Sequence, residues 1–263
     1  MTTARVARVF LPIALASLAV ATAGAQGRNR GGRDRGGGFF GRDMPGYQYN
    51  VPYSGRYTFV RIRYEGYYKM QQEGPGWAHD YPIAETNFLK ILEEITLLKP
   101  FMEGSNILDL KDPDLFKYPV AYLSEPGGWE PSEEDVKALR EYLQKGGFLI
   151  VDDFPDNAFN NMAYQLKRVL PKSDIVPISF NHPIFDSFFR IEHFGAMQGS
   201  YGTPEPLGIY EDNDPGKRLI AILNLNGDLG ENWEYSDQGF WSVTSSNEAY
   251  KLGINYIIYA MTR

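Results

Sequence analysis

Between Ser132 and Asp153 the apolar positions change period within one short stretch. Val136, Leu139 and Leu143 recur at helical spacing, Ser132 stands where a helix N-cap belongs, and Glu133, Glu134 and Asp135 fill the first turn, where the helix dipole favours negative charge. Gly146-Gly147 ends that helix. Phe148 to Val151 is then a continuous apolar run, the pattern of a strand buried on both faces, and it leads into Asp152 and Asp153. Upstream, Tyr118 to Leu123 is a second such run, so strand, helix and strand predict a right-handed βαβ unit with parallel strands.

The same reading extends over the rest of the chain. Tyr57 to Tyr64 alternates with period two and predicts a strand, Pro82 to Leu98 a helix with Ala84, Phe88, Ile91, Ile95 and Leu98 at helical spacing, and Asn106 to Leu110 a short strand. Asn157 to Leu170 predicts a third helix. Residues 173–206 show poor periodicity and read as irregular structure over the top of the sheet. Leu207 to Tyr210 and Leu219 to Leu223 predict strands, Asn224 to Gly239 a polar loop, and Ser246 to Thr262 a terminal helix in which Gly253 allows close approach. Alternating strands and helices make this an α/β protein, a three-layer sandwich with a mostly parallel, flavodoxin-like or Rossmann-like sheet. Ligands of such sheets sit outside the carboxyl ends of the strands, which gathers Glu125 to Trp129 and Asp152 to Asn157 around one crevice.

Residues 1–25 read as a secretory signal peptide: Arg5 and Arg8, an apolar run from Val9 to Ala21, then Ala23-Gly24-Ala25 as the cleavage pattern. Residues 26–52 read as a disordered Gly/Arg-rich leader and 53–263 as the folded domain. An exported protein in the periplasm or outside the cell is therefore expected, with membrane contact only through an uncleaved signal segment. Seven of the 26 basic residues and one of the 33 acidic ones precede Asp43, so the rest carries a net charge near −13. Such a body repels phosphate backbones and argues against nucleic acid as a partner. The absence of cysteine removes disulfides, thiolate metal sites and thiol nucleophiles.

From Tyr118 to Phe154 the chain resembles the class I glutamine amidotransferase-like superfamily. Gly127-Gly128 matches its oxyanion-hole glycine pair and Gly147 to Val151 its glycine-led strand; the nucleophilic cysteine would fall at or beside Asp153-Phe154 and is absent. Over nearly all of the folded part the chain also resembles the bacterial domain-of-unknown-function family numbered 4159. FVRIRYEG, Trp77 with DYP and AETNFL, LFKYP into YLSEPGGW, GGFLIVDDF, NHPIF, DLG with Trp233, and LGINYIIYAMT carry that likeness. The resemblance implies an amidotransferase-like fold and brings no activity with it.

The candidate chemistry lies around Asp153, favoured over Asp152 to face the crevice because neighbouring strand residues point to opposite faces. It would serve as general base, metal ligand or hydrogen-bond acceptor, or both acids would hold loop amides. His182 is the candidate acid–base partner if its segment swings over the strand ends, or else it bonds a backbone carbonyl and positions the loop. Glu125, Gly127, Gly128 and Trp129 form a second wall, with glycine amides for an anion and Trp129 for stacking on a ring. A zinc site would need carboxylates such as Asp153 and Asp228, and nothing in the spacing demands one, so no metal is expected. The chain has no GxGxxG or GxxxxGK, so no nucleotide cofactor is expected either. Three functions stay open: a degenerate amidotransferase-like domain binding a small polar ligand or an envelope protein, a hydrolase or sugar-processing enzyme using Asp153 and His182, and a structural envelope protein.

Overall fold

A computed structural model describes residues 50–66, 75–194, 197 and 201–263. The signal peptide and most of the leader lie outside them. Among the described residues no helix is long and apolar enough to cross a membrane.

In chain order the elements are β1 (Val60–Arg63), α1 (Ile83–Ile95), β2 (Asn106–Asp109), β3 (Val120–Ser124), α2 (Glu133–Gln144), β4 (Phe148–Phe154), α3 (Asp156–Val169), β5 (Val176–Pro177), β6 (Glu205–Tyr210), β7 (Leu219–Leu225), α4 (Leu229–Glu234) and α5 (Val243–Thr262). The seven strands form one sheet in the order β2-β1-β3-β4-β7-β6-β5. β2, β1, β3, β4 and β7 run parallel, and β6 and β5 are antiparallel additions at one edge. The result is the three-layer α/β sandwich that the alternating pattern predicts.

Strand pleating assigns the layers. Along β4, Leu149 and Val151 join α2 and α3 in one apolar cluster, while Phe148 and Ile150 join α1, α4 and α5 in the other. The Ser132 cap is a full capping box: its hydroxyl accepts from Asp135 N at 3.2 Å, and the Asp135 carboxylate accepts from Ser132 N at 3.1 Å. That box points Val136, Leu139, Tyr142 and Leu143 at the sheet, each burial contributing about 1.5–3 kcal/mol. Gly146 at φ 111° then turns the chain into β4.

Three expectations are corrected. Residues 224–239 are not all loop, because Asp228 caps α4 by accepting from Glu231 N at 2.9 Å. α5 begins at Val243 because the Ser242 hydroxyl accepts from Ser245 N. The segment around His182 does not cross the top of the sheet: Ile184 and Phe185 are buried in the cluster of α1 and α5.

Both sheet edges are closed. β5 is two residues long and includes Pro177. Beside β2, the Asn50 side-chain amide donates to Ile107 O at 2.8 Å and accepts from Ile107 N at 2.7 Å.

Where α5 crosses α1 and α4, a Cβ on Gly253 would lie 2.5 Å from the Trp233 ring and 2.7 Å from Phe88. Glycine in a helix ordinarily costs about 1 kcal/mol relative to alanine. Here Gly253→Ala is expected to lower stability by about 1–3 kcal/mol in urea unfolding, because the rings must move.

Candidate functional site

Strand order reverses between β1 and β3, since β2 lies on one side of β1 and β3 on the other. The crevice outside these carboxyl ends has a volume of about 1090 Å³. Three loops build it: residues 76–81 before α1, residues 125–130 after β3, and the end of β4 running into α3. Tyr201 and the α4 region close the remaining side. Among the described residues seven carboxylates line it (Asp80, Glu125, Glu130, Asp153, Asp228, Glu231 and Glu234) with the His79 imidazole, and none of these lining residues is Lys or Arg.

Asp152 and Asp153 diverge as the pleat requires, and a bulge sharpens the divergence. The pairing of β4 with β7 shifts register between Val151 and Phe154, and Asp153 takes a left-handed φ of 58°. Asp153 faces the crevice, where its Oδ1 accepts from Tyr201 Oη at 2.6 Å. Asp152 is fully buried beneath α4: Oδ1 accepts from Asn224 at 2.8 Å, and Oδ2 from Tyr122 at 2.7 Å, Leu229 N at 2.9 Å and Gly230 N at 3.2 Å. It is not a ligand-binding residue, because these four donors occupy it.

The remaining expected site residues separate cleanly. Glu125, Gly127, Gly128 and Asp228 line the crevice with Asp153. Glu125 sits at φ 46° and pairs with His79 through Nδ1. Gly127 is held to glycine by Ala158, whose Cβ would lie 2.9 Å from an added one. Trp129 does not stack on a ligand, since its ring is fully buried in the α2–α3 cluster. His182 is not the partner of Asp153. Its Nδ1 accepts from Ile184 N at 3.2 Å and its ring packs on Tyr210 and Tyr259. Tyr259 meets the amino end of β7 at Leu219 N, whereas Phe154 pairs with its carboxyl end at Leu225.

His79, Asp80, Glu130, Tyr201, Glu231 and Glu234 are among the site residues that pattern reading passes over. The strand-end rule applied to β1, and not only to β3 and β4, leads to the loop holding His79-Asp80. Tyr201 carries no such mark.

Crowding of carboxylates sets the electrostatics. Burial first, then the Glu125 and Asp80 charges, holds Asp153 well above the usual carboxylate range; burial, Asp153 and Asp80 do the same to Asp228. Burial pushes Asp80 up to about 8 against the pull of the Arg61 guanidinium. Arg61 itself is buried in β1, bonded to Glu85 at 2.5 Å and Trp77 O at 3.1 Å. Asp80, Glu125 and Asp153 all have left-handed backbone, which Asp tolerates better than most residues and Glu does not, so Glu125 is the unusual one of the three.

With this geometry in place, comparison with family models matches residues 58–261 to DUF4159, a domain of unknown function. The chain belongs to this family. A search of curated proteins returned no match.

Two measurements check the site. Asp152→Ala strands Tyr122, Asn224 and two amides in the interior and is expected to cost about 3–5 kcal/mol in urea unfolding, whereas Asp153→Asn removes a repelling charge from a left-handed position that Asn tolerates and is expected to be neutral or stabilising. Asp80, Asp153, Asp228 and Glu234 ionise near 4 when unfolded but higher when folded, so the folded state keeps protons that the unfolded state has lost. In chelator-containing buffer the melting temperature is therefore expected to fall as pH rises from about 4 to about 8, and less so in Asp80→Asn.

Proposed function

We propose that this member of the DUF4159 family is an exported domain with an amidotransferase-like core that binds a small polar ligand without covalent chemistry. The carrying observation is the crevice wall: among the described residues that line it are seven carboxylates, one imidazole and no Lys or Arg. A wall of acceptors selects a ligand that presents N–H or O–H donors and positive charge, such as an amino sugar or a polyamine. The glycine pair beside it supports the amidotransferase-like likeness, while an acid occupies the place of the thiol nucleophile. The position of His182 removes it as the acid–base partner of Asp153, and the one imidazole near Asp153 among the described residues, His79, is paired with Glu125.

Isothermal titration with spermidine and chitosan oligomers, and with citrate as an anionic control, tests this reading. Saturable binding of an amine ligand is expected, weakened at least about tenfold by Glu125→Gln, the loss of about 1.4 kcal/mol that one charge-assisted hydrogen bond supplies. Failure of both amines, or equal binding of citrate, would refute the reading.

A further inference from the structure

The acids at the floor of the crevice form two sets of potential ligands. One ligand atom each from His79, Glu125 and Asp153 lie within 4.8 Å of one another, and so do one each from Asp80, Asp153 and Asp228. A cation held about 2.1 Å from its ligands needs them no more than about 4.2 Å apart, so small side-chain rotations close either set. Asp153 is common to both.

Two observations separate this arrangement from an ordinary acidic surface. Asp153 and Asp228 are 4% and 2% exposed, where unscreened like charges are costly. The Asp80 carboxyl bonds with Glu234, yet its Oδ2 is sealed from solvent with no hydrogen-bond partner among the described residues, and it belongs to the cluster. A buried acceptor with nothing to accept from points to a bound positive group.

We propose that Asp153 is the shared ligand of a divalent-cation site completed by His79 and Glu125 on one side and by Asp80 and Asp228 on the other. One imidazole among carboxylates suits a transition-metal ion of the Mn²⁺ or Zn²⁺ type better than Mg²⁺. The inference rests on the ligand-binding reading of this crevice and names the innermost positive group that it takes. Glu130, Glu231 and Glu234, outside the two sets, remain for donors on an organic ligand.

The test uses the full chain stripped with chelator, titrated calorimetrically with MnCl₂ and with ZnCl₂, and MgCl₂ for comparison. Expected are saturable binding of at least one Mn²⁺ or Zn²⁺ per chain and a raised melting temperature. Asp153→Asn and Asp228→Asn are each expected to weaken affinity by at least about tenfold, the loss that even an outer-sphere partner of a metal causes. Asn is tolerated in left-handed backbone and as an N-cap, so both variants keep the fold, which circular dichroism checks. His182→Gln, remote from the crevice, is expected to bind the metal as the parent does. Absence of saturable Mn²⁺ and Zn²⁺ binding, or affinity within twofold of the parent in both crevice variants, overturns the proposal. Amine binding that persists without any metal binding overturns the cation site alone; metal binding without any amine binding overturns the ligand reading alone.

Discussion

The crevice depends on one buried carboxylate that never touches it. Asp152 joins β4 to β3 through Tyr122, to β7 through Asn224, and to α4 through the Leu229 and Gly230 amides. Asn224 in turn accepts from Tyr256 of α5, so three strands and two helices meet at one acid. Burial raises the proton affinity of Asp152, and its four hydrogen bonds to the charged form pull it back. Asp152 thus holds α4 in place, and the next residue takes a left-handed turn that points the buried Asp153 side chain at the crevice.

That division of labour separates stability from function along two adjacent residues. Asp152 is surrounded by donors, whereas Asp153 has the Tyr201 hydroxyl as a donor and the repelling charges of Glu125 and Asp80 beside it. A fold selected only for stability has no reason to keep Asp80, Glu125 and Asp153 in left-handed backbone around a shared void. The cost is carried by the βαβ frame, where the capped α2 and the doubly buried β3 and β4 supply the apolar burial.

How much of this the sequence discloses follows from what each signal measures. Local signals are plain: the Ser132 box, the Gly146 stop and the apolar runs of β3 and β4 depend on neighbours a few residues away. From those the parallel core and the Glu125 and Asp153 walls can be inferred. α4 is hard to read because its six residues are anchored to Asp152, 77 positions upstream of Leu229, and no periodicity in a polar stretch records such a bond. His182 misleads for the opposite reason. Its segment reads as irregular, and only the packing of Ile184 and Phe185 against α5 decides which side of the sheet it covers. Trp129 beside a glycine pair looks like a stacking platform, yet its burial depends on α2 and α3 closing over it.

The Asn50 amide has a consequence for how these domains behave when crowded. Ile107 offers one donor and one acceptor outward from β2, and Asn50 satisfies both, so a side chain does there what an adjoining strand would do. At the far edge, the two-residue β5 leaves little ladder to extend, and Pro177 has no N–H to offer. The sheet thus ends in plugs on both sides. Among the described residues these two plugs leave little exposed ladder through which densely packed molecules could exchange or add strands.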